Sequence, residues 1–205
     1  IAAERGVELA AVAVGSGPGG RILSTDVPLT ATKTAPAPAA VSTTGGRRRM
    51  TSMRKAIAKA LLQSKQSIPH FYVRLTVDAD PLVRFYKAQK AQYPCSINDV
   101  IVQACARLVQ EFPSFRTRID GDDLVESPAS NIGIAVGTDD GLVVPVLMGA
   151  ERLSLQQIGS ETKRLANSAR NGKIEKMGQG CFTITNLGMF GTEEFAAIIN
   201  PPESA

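Results

Sequence analysis

The spacing of apolar residues changes character twice along the chain. Residues 1–27 show only short apolar runs broken by glycine, residues 28–46 show no apolar period, and from Arg47 onward helical and strand-like periods succeed one another. Residues 52–67 read as a helix, with Met53, Ile57, Ala60 and Leu61 on one face. Phe71, Val73, Leu75 and Val77 then alternate with His70, Tyr72, Arg74 and Thr76, the period of two that a half-buried strand requires. Asp80-Pro81 starts a second helix, through Phe85 to about Gln92. Ser96 and Asp99 have the spacing of a capping box. The helix behind them carries the stripe Ile97, Val100, Ile101, Ala104, Cys105, Leu108 and Phe112 and stops at Pro113. Asp120-Gly121 is a hairpin turn between two short strands. Residues 131–137 and 142–148 are apolar and β-branched, and Asp139-Asp140-Gly141 joins them as a strand pair. Ser154 with Gln157 caps a helix that reaches Ala169 and ends at Asn171-Gly172. From Cys181 to Thr185 strand alternation returns, with Phe182 and Ile184 on one face and Cys181, Thr183 and Thr185 on the other. A glycine-broken turn follows, then a strand from Glu193 to Ile199. The irregular order of elements predicts an α/β fold with helices packed on one face of a mixed sheet.

Composition sets the domain plan. The chain has 205 residues, enough for one medium domain or for one with a small companion. Between Pro28 and Gly46 it is mostly Ala, Pro and Thr, with Lys33 the only charge, too little apolar surface to offset the entropy of ordering. That stretch reads as a proline-stiffened linker. It divides the chain into a module at 1–27, the linker at 28–46 and a larger domain at 47–205. With 43% apolar residues and no Trp, the core rests on Ile, Val, Leu, Met and Ala.

Charge and candidate chemistry narrow the function classes. The net charge of +4 is mild, and the basic run Arg47-Arg48-Arg49 with Arg54 and Lys55 lacks the interleaved aromatics of a nucleic-acid platform. Cys95, Cys105 and Cys181 fit no metal or redox spacing, so no metal site is expected and a reducing compartment is. No run approaches the roughly 20 apolar residues of a membrane helix, and no signal peptide is visible. These features predict a soluble intracellular protein. A first residue that is Ile rather than Met predicts a beginning inside a longer chain. Gly15-Ser16-Gly17-Pro18-Gly19-Gly20 satisfies G-x-G-x-x-G, but a dinucleotide loop needs a strand before it and a long helix after it. Residues 21–27 leave room for one turn. Adjacent Asp139 and Asp140 point apart, as in a simple turn rather than an acid–base pair.

Several motifs together resemble the dihydrolipoamide acyltransferases, the cores of 2-oxo acid dehydrogenase complexes. They are Arg54-Lys55-Ala56-Ile57-Ala58, Ile68-Pro69-His70-Phe71, Asn98-Asp99, residues 131–136, Asp140-Gly141-Leu142-Val143-Val144-Pro145-Val146, and Thr183 to Gly191 with Asn200-Pro201-Pro202 behind it. Residues 2–27, with Gly15 to Ile22 and Asp26-Val27, resemble that family's peripheral subunit-binding domain. The resemblance implies a chloramphenicol-acetyltransferase-like domain behind a small helical binding module. It also implies a trimer-based core, docking of the 2-oxo acid decarboxylase and dihydrolipoamide dehydrogenase, and a bacterial cytoplasm or mitochondrial matrix. Arg21 falls at a family docking position, although most of the family's first helix would precede Ile1.

The family moves an acyl group between dihydrolipoamide and coenzyme A. The lipoyl group would be carried on a domain upstream of Ile1. Such chemistry needs a base for the thiol and a donor for the developing oxyanion. In the family the donor is usually a Ser, and here that position is Thr185. The family's base is a His in a D-H-R-x-x-D-G segment, which does not occur in these 205 residues. His70 is the single histidine, and its I-P-H-F setting implies a structural or site-lining role. The turn from Asn186 to Gly191 is most similar to the acetyl-transferring branch. Two readings follow: an acetyltransferase whose base lies outside this stretch, or a scaffold component that keeps the fold without the chemistry.

Overall fold

The computed structural model describes residues 2, 12, 14–27, 46–139 and 141–205. It divides into two compact units, Ile1–Arg48 and Arg49–Ala205. The expected two-helix form of the first unit, and most of the linker, lie outside the described residues. What is described there is a glycine loop. Gly17 N donates to Arg21 O (2.9 Å) and Gly20 N to Gly17 O (3.0 Å). Gly19 and Gly20 take positive φ, where a side chain would be strained.

The second unit begins with α1 (Ser52–Ser67), α2 (Asp80–Lys90) and α3 (Ile97–Glu111). Thr51 Oγ1 caps α1, accepting from Arg54 N, and Pro81 sits in the first turn of α2. At α3 both halves of the capping box form between Ser96 and Asp99. A hairpin follows, β1 (Thr117–Asp120) with β2 (Asp123–Glu126), and Gly121 at positive φ makes its turn possible. The Ser154–Gln157 box starts α4 (Leu155–Arg170), and Gly172 at φ +82° closes it.

The expected strand pair 131–137 with 142–148 forms, but in two pieces. β3 (Ile132–Ile134) pairs antiparallel with β6 (Val146–Leu147), and β4 (Val136–Thr138) pairs with β5 (Gly141–Val143). The breaks fall at Ala135 and at Val144-Pro145, where proline has no N–H for a ladder. β7 (Phe182–Ile184) lies parallel to β3 on its other side, so the sheet is mixed in the order β6-β3-β7. Non-strand backbone covers both flanks, because Val146 N donates to Glu175 O (3.1 Å) and Thr183 N to Ala205 O (3.0 Å).

The core lies between α3, α4 and the strands. Val102, Ala106, Ile132, Ile134, Val143, Ile158, Leu165 and Ile184 belong to one buried cluster. The helices meet closely: a Cβ on Gly159 would stand 3.0 Å from Pro94 O, and Thr162 Oγ1 donates to Asp99 Oδ1 at 2.6 Å.

Three sequence expectations need correction. Of the expected α3 stripe Val100 is buried and Ile101 and Cys105 pack partly buried on the core, but Ile97, Leu108 and Phe112 are exposed, and the helix also buries Asp99, Val102, Ala106 and Val109. The helix is apolar on more than one face, so the positions of α4 and β3 choose the buried side. Only Met53 and Ile57 of the expected α1 face are partly buried, and the fully buried residue of that helix is Ser64. Finally, 71–77 and 193–199 are not strands. Phe71 is 85% exposed and Leu75 81%, so the alternation has no layer to pack on. Without burial or a ladder partner, alternation alone does not hold a strand.

Candidate functional site

The site is built outward from β7. Its backbone is anchored through the β3 ladder and through Ala135 N donating to Ile184 O (3.0 Å). Phe182 packs edge-on against Phe115, with centroids 6.0 Å apart. The chain then turns sharply. Asn186 Oδ1 accepts from Gly188 N (2.8 Å), residues 188–190 form a 3₁₀ turn, and Gly191 leaves it at φ +72°.

Three polar side chains were expected on one face of this strand, and their commitments differ. The Cys181 thiol donates to Asn131 O (3.3 Å), and burial, the largest influence on it, pushes its pKa up, which makes it a poor nucleophile. Thr183 Oγ1 donates to Glu203 Oε2 in a short hydrogen bond. Thr185 is half-buried, stands directly before the Asn186 turn, and its hydroxyl makes no hydrogen bond among the described residues. Of the row, Thr185 alone has a hydroxyl free to serve a ligand.

Glu203 was not picked out from sequence. It directly follows Pro202, whose bond to Pro201 is cis, and is only 4% exposed. Asn200 Nδ2 donates to its Oε1 at 3.1 Å, and burial outweighs its two hydrogen bonds, so its pKa is raised. The available signal was a lone acid directly after a Pro-Pro turn at the end of an apolar run.

His70 is placed as a structural residue. Its Nδ1 lies 2.8 Å from Ile68 O, and its Nε2 accepts from Ile199 N at 3.0 Å. Nε2 as acceptor makes Nδ1 the donor, so the ring is the neutral Nδ1–H tautomer with both nitrogens occupied. Ser64 Oγ completes the clamp by donating to Ile199 O (2.6 Å). A base needs a free lone pair aimed at a substrate, and His70 has none.

The glycine loop of the first unit is closed by its own acid. Asp26 accepts from Ser16 N (2.9 Å), Ser16 Oγ (2.7 Å) and Leu23 N (2.8 Å). The Ser16 hydroxyl, then the backbone N–H groups of Ser16 and Leu23, hold its carboxyl below the ordinary aspartate range. These donors serve a carboxylate of the chain, so they are not a phosphate cradle. Arg21 is exposed beside this loop, and its carbonyl receives Gly17 N. Asp139 lies in the β4–β5 turn, its carbonyl 3.4 Å from the Arg54 guanidinium, and Asp140 lies outside the described residues.

A surface hollow of about 430 Å³ lies elsewhere, lined by Leu153, Gln156, Gln157, Ser160 and Glu161. Its hydroxyl and carboxylate are engaged within α4, Ser160 Oγ donating to Gln156 O (3.0 Å) and Glu161 Oε2 accepting from Arg164 Nε (2.9 Å). Among the described residues no three His, Cys, Asp or Glu side chains converge as a metal site, and no helix is long and apolar enough to cross a membrane.

Residues 43–205 match the family model for the catalytic domain of 2-oxoacid dehydrogenase acyltransferases. The chain belongs to that family. Residues 1–27 match the model of the E3-binding domain. The chain is similar to the dihydrolipoyllysine-residue acetyltransferase component of the pyruvate dehydrogenase complex of Caenorhabditis elegans, 38% identical over all of this chain and 43% of that protein. It is also similar to the pyruvate dehydrogenase protein X component of Mus musculus, 36% identical over 75% of this chain and 31% of that one. It spans about half the length, or less, of such curated relatives.

Among solved structures, a probable dihydrolipoamide acetyltransferase from Listeria monocytogenes superposes with a TM-score of 0.71 at 35% identity, covering 78% of this chain and 71% of that one. The cubic core of a pyruvate dehydrogenase multienzyme complex gives 0.74 at 33% identity, over 78% and 70%. The second unit therefore has the chloramphenicol-acetyltransferase-like fold of these acyltransferase cores.

Proposed function

We propose that this chain is part of an acyltransferase that moves an acetyl group between dihydrolipoamide and coenzyme A in the core of a 2-oxo acid dehydrogenase complex. The observation that carries the reading is Thr185, whose uncommitted hydroxyl stands at the end of β7 while its neighbours on the row are occupied. Dihydrolipoamide and coenzyme A supply the two thiols between which the acetyl group passes. The Thr185 hydroxyl donates to the acetyl oxygen as that oxygen gains negative charge, and the ladder to β3 holds the strand so that the donor is already aimed. The base that takes the thiol proton comes from outside residues 1–205, since both nitrogens of His70 are engaged. The lipoyl group belongs to a separate domain.

In this reading residues 1–27 are the binding module, 28–46 the linker and 47–205 the catalytic domain. Arg21, exposed on the Asp26-closed loop, docks dihydrolipoamide dehydrogenase, and the decarboxylase joins the same assembly. The core is built of trimers, in a mitochondrial matrix or a bacterial cytoplasm. Support for the module comes from the E3-binding match, and support for the compartments from relatives of both kinds.

The test is steady-state acetyl transfer by the natural protein. Thr185→Val lowers kcat by roughly 10²–10³-fold with little change in KM, and Thr185→Ser restores it. An unchanged kcat in Thr185→Val overturns the role. A scaffold is the second reading, favoured by Thr in the family's Ser position and by similarity to the protein X component. It is the outcome if the wild-type protein transfers no acetyl yet binds dihydrolipoamide dehydrogenase in a manner that Arg21→Glu abolishes.

A further inference from the structure

We propose that Asn186 is a positioning residue for Thr185: its side chain closes the turn that follows β7 and keeps the Thr185 hydroxyl aimed where the ladder no longer holds the chain. The ladder reaches only to Ile184, whose carbonyl accepts from Ala135 N (3.0 Å). Thr185 is the first residue past that bond. Among the described residues neither its backbone nor its hydroxyl makes a hydrogen bond. A threonine has few χ1 choices, and the backbone angles at its own position select among them. The direction of its hydroxyl therefore depends on what fixes the chain on either side.

On the near side that is β3. On the far side it is one side chain. Asn186 Oδ1 accepts from Gly188 N at 2.8 Å, an Asx turn, in which the side chain stands in for a backbone carbonyl. Position 188 is cut to that closure: a Cβ there would stand 3.1 Å from Asn186 Oδ1, and glycine lets the oxygen sit over the N–H. The chain passes at once into the 3₁₀ turn, with Phe190 N donating to Leu187 O (3.0 Å) and Gly191 N to Gly188 O (3.0 Å). Met189 and Phe190 at its tip are exposed, so packing contributes little there. Asn186 is itself exposed, and what it contributes is the hydrogen bond rather than burial.

What the hydroxyl is held for rests on the acyl-transfer reading; that Asn186 holds it does not. A donor to a developing oxyanion is effective when it needs no reorganisation as the charge forms. A Thr185 side chain that samples several rotamers loses rate without losing substrate, and a misplacement of about 1 Å costs up to about 10²-fold.

The test uses the natural protein labelled at its threonine methyl groups, wild type against Asn186→Ala and Asn186→Asp. Position 186 is exposed and tolerates both without loss of the fold. Alanine removes the acceptor, whereas aspartate keeps an oxygen for the Gly188 N–H. Asn186→Ala lowers the NMR order parameter of the Thr185 methyl group, the Thr183 methyl group keeps its own, and Asn186→Asp restores the first. In acetyl transfer Asn186→Ala lowers kcat by about 10–10²-fold at nearly constant KM. It adds nothing once Thr185→Val is in place, because it acts through that hydroxyl. An unchanged Thr185 methyl group overturns the proposal. So does equal loosening of Thr183, an unchanged kcat in an active enzyme, or a loss that multiplies with that of Thr185→Val. If the wild-type protein transfers no acetyl, the acyl-transfer reading falls, and the methyl measurement alone decides the role of Asn186.

Discussion

Residues 71–77 and 182–185 share a pattern and meet different fates. The first has four apolar residues in strict alternation and forms no strand, while the second is shorter, more polar and lies in the sheet. The difference is what stands beside them. β7 has β3 on one flank and Ala205 on the other, with Ile184 joining the core under α4. Beside 71–77 runs the equally irregular 193–199 segment, which the exposed Arg74–Glu194 ion pair joins to it. An exposed pair of that kind contributes at most about 1 kcal/mol. Ladder bonds and burial make a strand; alternation only permits one.

The largest effect that sharpens this contrast comes from paired truncations. Ile158 is fully buried among the residues under the sheet, and Ile158→Ala should destabilise the second unit by about 2–5 kcal/mol in chemical denaturation. Leu75→Ala, made on the exposed row, should stay within about 0.5 kcal/mol. A comparable loss in Leu75→Ala would mean the row is covered in solution, and the comparison would break.

A smaller effect tests how the irregular side is held. Ile199 is fixed at both backbone atoms by side chains, Ser64 Oγ on its carbonyl and His70 Nε2 on its N–H. Ser64→Ala and His70→Ala should each lose about 0.5–1.5 kcal/mol. His70→Ala should also speed exchange of the Ile199 amide, while the amides of β3 keep their protection. Equal acceleration in both places would show that the two sides open together.

The smallest effect is local, at the glycine loop, where a side chain again does the work of a ladder. The Ser16 and Leu23 donors stabilise ionised Asp26, so its contribution is present above the ordinary aspartate value of about 3.9 and is lost as pH falls through its lower folded value. Asp26→Asn should shift the Ser16 and Leu23 amide resonances at neutral pH and leave the second unit's unfolding midpoint unchanged. Resonances that stay in place would remove Asp26 as the closure of the loop.

Much of the fold was legible because it rests on neighbours in sequence. Ser96–Asp99 and Ser154–Gln157 cap their helices within three residues, and Gly121 and Gly172 supply positive φ where the turns need it. The candidate site was half legible. Thr185 could be named from its motif, but that it alone of the polar row stays uncommitted depends on Asn131 and Glu203, 50 and 20 residues from their partners. The one local signal for Glu203, an acid after Pro-Pro at the end of an apolar run, reads equally as a solvated turn, so its burial was not legible. The α3 stripe held only in part, at Val100, Ile101 and Cys105, for a related reason: with apolar residues on several faces, periodicity does not rank them.

From sequence alone came the order of the elements, their caps and turns, the change of composition at the linker and the family motifs, all properties that span a few residues or simply accumulate along the chain. Tertiary structure decided which face of α3 is buried, that 71–77 is not a strand, which tautomer His70 holds, and that the Glu203 carboxyl is buried. Each of those depends on atoms brought together from distant positions, where burial and partner, not local preference, determine the free energy.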